Sequence, residues 1–213
     1  MDIFATIRAG DAPAATRLLV AEPGLARTRH KGGPTPVLFA LYHHYPELAE
    51  ALASVSGELD LAEAAALDRV DRVRELLADG AAVDGRTPDG FTPLQLAAYF
   101  GAPATVELLI AAGAEVDAVA ANPMRIQPLH AAAAGQHPEV VRILLRAGAD
   151  PNGRQQGGWT PLHAAAQHGD TALVELLLAA GTDPDATNDE GTTPAAAARQ
   201  AGHPELADRL AQR

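Results

Sequence analysis

Between positions 160 and 181 the apolar residues fall into two short runs divided by a turn. Leu162, Ala164, Ala165 and Ala166 form the first run, and Leu173, Val174, Leu176, Leu177 and Leu178 form the second. The spacing predicts two helices. Small residues on the first let a neighbour pack closely, and the second is more apolar. Thr160 stands where a hydroxyl can accept an amide of the first turn. Pro161 takes the first helical position, where its missing N–H costs nothing. Gly169 and Gly181 sit where left-handed residues end the two helices. Asp183-Pro184-Asp185 and Asn188-Asp189-Glu190-Gly191 then read as turns.

The same frame recurs. Thr92-Pro93-Leu94, Gln127-Pro128-Leu129-His130, Thr160-Pro161-Leu162-His163 and Thr193-Pro194 begin four copies, at steps of 35, 33 and 33. Gly80, Gly113, Gly148 and Gly181 end the second helices, and Asp84, Asp117, Asn152 and Asp185 follow them, both at steps of 33, 35 and 33. A fixed period in this range means stacked supersecondary units rather than one globular core. These copies resemble ankyrin repeats, whose signature is T-P-L-H-x-A. The resemblance implies an all-α solenoid, each unit a β-turn finger plus two antiparallel helices, stacked into a curved array. Residues 89–213 hold four well-matched repeats, the last a C-terminal cap with the polar tail Asp208-Arg209 and Gln212-Arg213.

Residues 1–88 follow the frame less closely. The run from Val73 to Gly80 is a second helix, and counting back places its first helix at 59–66 without a Thr-Pro. Thr35-Pro36-Val37-Leu38 opens another unit, whose second helix at 46–54 runs on through Val55-Ser56-Gly57 with no full finger. Gly10-Asp11 and Leu18-Leu19 align with Gly169-Asp170 and Leu177-Leu178, so residues 1–21 read as a first pair. The total is about seven helix pairs in a single domain, the first three atypical. End units of solenoids depart from consensus because one face must meet water.

Hydrophobic residues make up 47% of the chain and charged residues 20%, a composition that folds. No apolar run reaches the roughly 18 residues a membrane helix needs, and the start, which contains Asp2, lacks the pattern of a secretory signal. A cytoplasmic monomer is expected. There are no cysteines, hence no disulfides. One lysine against 15 arginines fits a GC-rich, bacterial genome. The net charge of −11 disfavours a nucleic-acid partner, because phosphates are repelled. Residues 1–34 carry five Lys/Arg and three Asp/Glu, and residues 35–213 carry eleven and twenty-four, so the two segments stand at +2 and −13. Arg27, Arg29, His30 and Lys31 form a basic loop: a solvated loop, or a contact for an acidic partner or for the acidic fingers of another copy.

Catalytic, metal-binding and cofactor motifs are absent. Ser54 and Ser56 lie in no nucleophile elbow. The lone lysine, Lys31, excludes a phosphate-binding G-x-x-x-x-G-K loop. His137-Pro138-Glu139 and His203-Pro204-Glu205 are 66 residues apart, twice the period, so each is an inter-helix turn rather than half of a site. The family resemblance implies that His130 and His163 bond to neighbouring backbone and tie units together.

It also implies that the fingers and first helices line the concave, partner-binding face. The exposed positions are the one before the Thr and those seven and eight after it. They carry Phe91, Tyr99 and Phe100; Ile126, Ala134 and Gly135; Trp159, Gln167 and His168; Thr192, Gln200 and Ala201; and, in the unit starting at Thr35, Tyr42 and His43. Five of the chain's eight aromatics fall on these positions: Tyr42, Phe91, Tyr99, Phe100 and Trp159. Neighbouring exposed aromatics mark a binding patch, although padding between units would also place them there. The unit starting at Gln127 departs from the frame. Its finger, 118–126, is two residues longer and carries Met124 and Arg125 near the tip. Gln127 replaces the capping Thr, at a cost of roughly 1 kcal/mol. Gln136 replaces the helix-ending Gly, with Gly135 one place early.

The candidate site is therefore Phe91, Tyr99, Phe100, Met124, Arg125, Ile126, Trp159, His168 and Tyr42, on a non-enzymatic module that binds another protein. Alternatives are self-assembly or scaffolding through the basic loop, and an enzyme regulator or small-ligand binder using the groove near Tyr42 and His43.

Overall fold

The computed structural model describes residues 2–213. Among these residues fourteen α-helices form seven antiparallel pairs, in chain order α1 Ile3–Arg8 and α2 Ala12–Ala21, α3 Pro36–Tyr42 and α4 Pro46–Ser56, α5 Leu61–Ala66 and α6 Val70–Ala78, α7 Pro93–Phe100 and α8 Pro103–Ala111, α9 Pro128–Ala134 and α10 Pro138–Arg146, α11 Pro161–Gln167 and α12 Thr171–Ala179, and α13 Pro194–Gln200 and α14 Pro204–Leu210. Met1, included in the expected first pair, lies outside the described residues. First helices stack on first helices along the whole series. Leu94, Leu109, Leu129, Leu144, Leu162 and Leu177 are among the fully buried side chains that fill the space between the two layers.

Local chemistry sets the boundaries. Asp60 and Glu63 start α5 with a capping box in place of the missing Thr-Pro, and Thr35 of the preceding unit donates its hydroxyl to Glu63 at 2.6 Å. With only Gly57–Asp60 between α4 and α5, that unit has no finger. The fingers on either side close the gap: a Cβ on Gly33 would lie 3.8 Å from that of Asp89. Arg27 pairs with Glu58 at 2.6 Å, Arg29 approaches Asp60 at 3.9 Å, and His30 packs its ring between Phe4 and Phe39. Most of the basic loop is thus engaged within its own chain.

The remaining units are tied by bonds that recur with the period. Asp84 accepts the Glu115 N–H, Asp117 accepts that of Asp150, and Asn152 accepts that of Asp183, at 3.1, 3.1 and 2.9 Å. His130 Nε2 meets the Trp159 carbonyl at 3.2 Å and His163 Nε2 the Thr192 carbonyl at 2.9 Å, the bonds the resemblance implies. In the unit between them and the N-terminus, Gln95 replaces the histidine. It accepts the Thr92 N–H and donates to the carbonyls of Ala118 and Ile126, both at 2.7 Å.

One expectation is corrected. Gly135 does not end α9 one place early as a left-handed residue; its φ is −75°, ordinary helix, and Gln136 takes the left-handed turn at φ 59°. Gly135 is glycine for a different reason: a side chain there would collide with the Tyr99 carbonyl. Gln136 therefore carries backbone strain that its counterparts Gly101 and Gly169 avoid. Gln136→Gly is expected to stabilise the fold by about 1 kcal/mol, read as a raised urea midpoint. An unchanged or lowered midpoint would show that the side chain contributes more than the strain costs.

Candidate functional site

The fingers present the site, and their backbones bond in series. Ala121 N–H donates to the Gly90 carbonyl, Gln156 N–H to that of Met124, and Asp189 N–H to that of Gly157, at 2.9, 3.0 and 2.9 Å. Asn122 fixes the lengthened finger: its amide donates to the Asp89 carbonyl at 2.9 Å and its oxygen accepts the Met124 N–H at 3.1 Å. Arg125 then turns the chain at φ 52°, the position that glycine holds in the other three well-matched fingers. Met124 is left at the tip with 45% of its surface exposed.

Between this finger, the preceding one and α7 lies an apolar groove of about 510 Å³. Its wall brings together five of the nine candidate residues: Tyr42, Phe91, Tyr99, Met124 and Ile126. Phe100 stands behind it, stacked on Tyr42 at 6.0 Å and edge-on to Tyr99 at 5.0 Å. Tyr42, Phe91 and Phe100 are half-buried and pack on the N-terminal core, so they brace the units as well as face the groove. Tyr99 is 36% exposed. Trp159 lies outside the wall, in the next finger, its ring 5.3 Å from that of His163. Arg125 and His168 are exposed and also lie off the wall. His43 is exposed, its ring 4.4 Å from Phe39.

Sequence reasoning missed the polar part of the wall. Asp89, Gln95 and Asn122 all border the groove. Asp89 accepts the Tyr42 hydroxyl at 3.0 Å, across 47 residues of sequence. Burial, and next the charge of Asp89, push the Tyr42 phenol above its ordinary value, so it stays a proton donor. Behind the wall, His137 Nε2 donates to the Tyr99 carbonyl at 3.0 Å and fixes the end of α7. Burial holds His137 and His163 below the usual imidazole value, and drives His130 down to about 4. Each is a neutral donor to a carbonyl near neutral pH.

Stacked helix pairs, fingers that bond in series between the well-matched units and Thr-Pro starts in fixed register define a repeat protein of the interaction-module class. The chain belongs to the ankyrin-repeat family. A sequence profile described as ankyrin repeats (3 copies) matches it in overlapping placements at residues 3–120, 61–155, 105–188 and 129–213. It is similar to the Ankyrin repeat and KH domain-containing protein mask-1 of Caenorhabditis elegans, 33% identical over 125 residues, which is 53% of this chain and 5% of that protein. It is also similar to the human Ankyrin repeat and SOCS box protein 3, 34% identical over 107 residues, 50% of this chain and 20% of that protein. The match therefore spans only a small part of either relative. Among the described residues no helix is long and apolar enough to cross a membrane.

Proposed function

We propose that the seven units act as one domain that binds a partner protein through the finger and first-helix face, without catalysing a reaction. The observation that carries this reading is the groove: five candidate residues from three units converge on one apolar wall. An exposed apolar surface of this kind, rimmed by polar groups, gains free energy when a partner covers it. The fingers are already ordered by their mutual backbone bonds, so little conformational entropy is lost on binding. Trp159, Phe100, His168 and Arg125 extend the contact beyond the groove. The protein acts as a monomer in the cytoplasm. Self-assembly through the basic loop is less favoured, because Arg27 and Arg29 already face Glu58 and Asp60.

The test is affinity capture from a lysate of the source organism, with wild type and a Phe91→Ala/Tyr99→Ala/Trp159→Ala variant compared by mass spectrometry. The variant is expected to lose the partner while its helical circular dichroism stays near that of wild type. Equal capture by both proteins would move the binding face elsewhere.

A further inference from the structure

The groove holds one group that its surroundings leave unmatched. Asp89 borders a mainly apolar wall whose other polar members, Gln95 and Asn122, are neutral amides, and among the described residues its one side-chain hydrogen bond comes from a neutral phenol, the Tyr42 hydroxyl on Oδ2. Its other oxygen, Oδ1, is shielded from solvent and has no hydrogen-bond partner. Among the described residues no Lys, Arg or His nitrogen forms an ion pair with it. The nearest arginine in sequence, Arg86, is spent on the carbonyls of Gly90 and Val119. An apolar group filling the groove would desolvate this carboxylate further and return nothing. A cation would neutralise it where the apolar surroundings keep the attraction strong.

We propose that the occupant of the groove is a basic side chain of the partner protein, an arginine or lysine whose head reaches Asp89 while its stem lies along Phe91, Tyr99 and Met124. This rests on the reading of the finger face as the binding face. The aliphatic stem of such a residue suits apolar walls while its head needs a polar partner. The rings of Phe91 and Tyr99 add attraction for a cation placed over them. The long-range field agrees, since residues 35–213 carry a net charge of −13. A basic segment is drawn toward this face before any contact forms.

The test is selection of random short peptides displayed on phage against wild-type protein, with counter-selection on the Phe91→Ala/Tyr99→Ala/Trp159→Ala variant. Peptides that need the aromatic patch are expected to share an arginine or lysine. Replacing that residue by uncharged citrulline or norleucine is expected to weaken binding about tenfold or more. Asp89→Asn should weaken the original peptide similarly, while Asp71→Asn, which removes an exposed carboxylate on the second helix α6 away from the groove, should retain it. The peptide-side replacement leaves the protein untouched, so a folding defect in Asp89→Asn cannot imitate the result. Patch-dependent peptides without a common basic residue, or indifferent to its neutralisation, would overturn this inference and leave the binding face standing. Peptides that bind both proteins equally would overturn both.

Discussion

Gly135→Ala is expected to destabilise the protein by about 3 kcal/mol, the upper range for overfilling a packed site. The backbone is not the obstacle, since φ of −75° suits any residue. The obstacle is the neighbouring unit. A Cβ on Gly135 would lie far inside 3.0 Å of the Tyr99 carbonyl oxygen, and 2.6 Å from Cδ2 of the His137 ring that donates to that same oxygen. Alanine therefore has to part the ends of α7 and α9, and with them the bond that fixes Tyr99 on the groove wall. Gly113→Ala is the control. Gly113 has φ of 90° but open space around its Cα, so alanine there should cost only the conformational penalty of about 1–2 kcal/mol. Urea denaturation of both variants checks this. A Gly135→Ala loss no larger than that of Gly113→Ala would mean that adjacent units separate freely, contrary to the packing described here.

Acid is expected to weaken the fold over the window from about pH 6.5 to about pH 4, beginning well above the range in which ordinary carboxylates protonate. His130 is 2% exposed and burial lowers its folded-state value to about 4, while the unfolded chain titrates near 6.5. Between these values the unfolded chain binds the proton and the folded chain does not. The stability due to the neutral ring is therefore complete above pH 6.5 and falls as pH drops through the window. For His130 alone the loss is on the order of 3 kcal/mol. His137 and His163 shift in the same direction for the same reason. Urea midpoints at pH 7.5, 5.5 and 4.5 measure the slope. His130→Gln should fold and show a shallower slope, because Gln95 already does the equivalent bonding in another unit. A slope unchanged in that variant would assign the acid sensitivity to other groups.

The repeat was legible because its signals are local. Thr-Pro starts, glycine ends and apolar runs each act within one turn of helix, and the seven pairs follow from them. The start of α5 was legible only as a count, because Asp60 and Glu63 do by capping box what Thr-Pro does elsewhere. Gly135 was misread because a glycine near a helix end resembles a stop signal. Its role, making room for the Tyr99 carbonyl, depends on a neighbour that local sequence does not name. The apolar candidates for the groove could be found from the repeat frame, since they occupy equivalent positions. Asp89 could not, because its partner Tyr42 lies two units away across the missing finger.

The most direct test of the account is to place the photo-crosslinking residue p-benzoylphenylalanine at Tyr99 in one protein and at Arg142, exposed on the second helix α10, in another. Both proteins would be irradiated in the same lysate. The account predicts a covalent partner adduct from position 99 and none from position 142. An adduct from position 142 alone would place the partner on the second helices and contradict it.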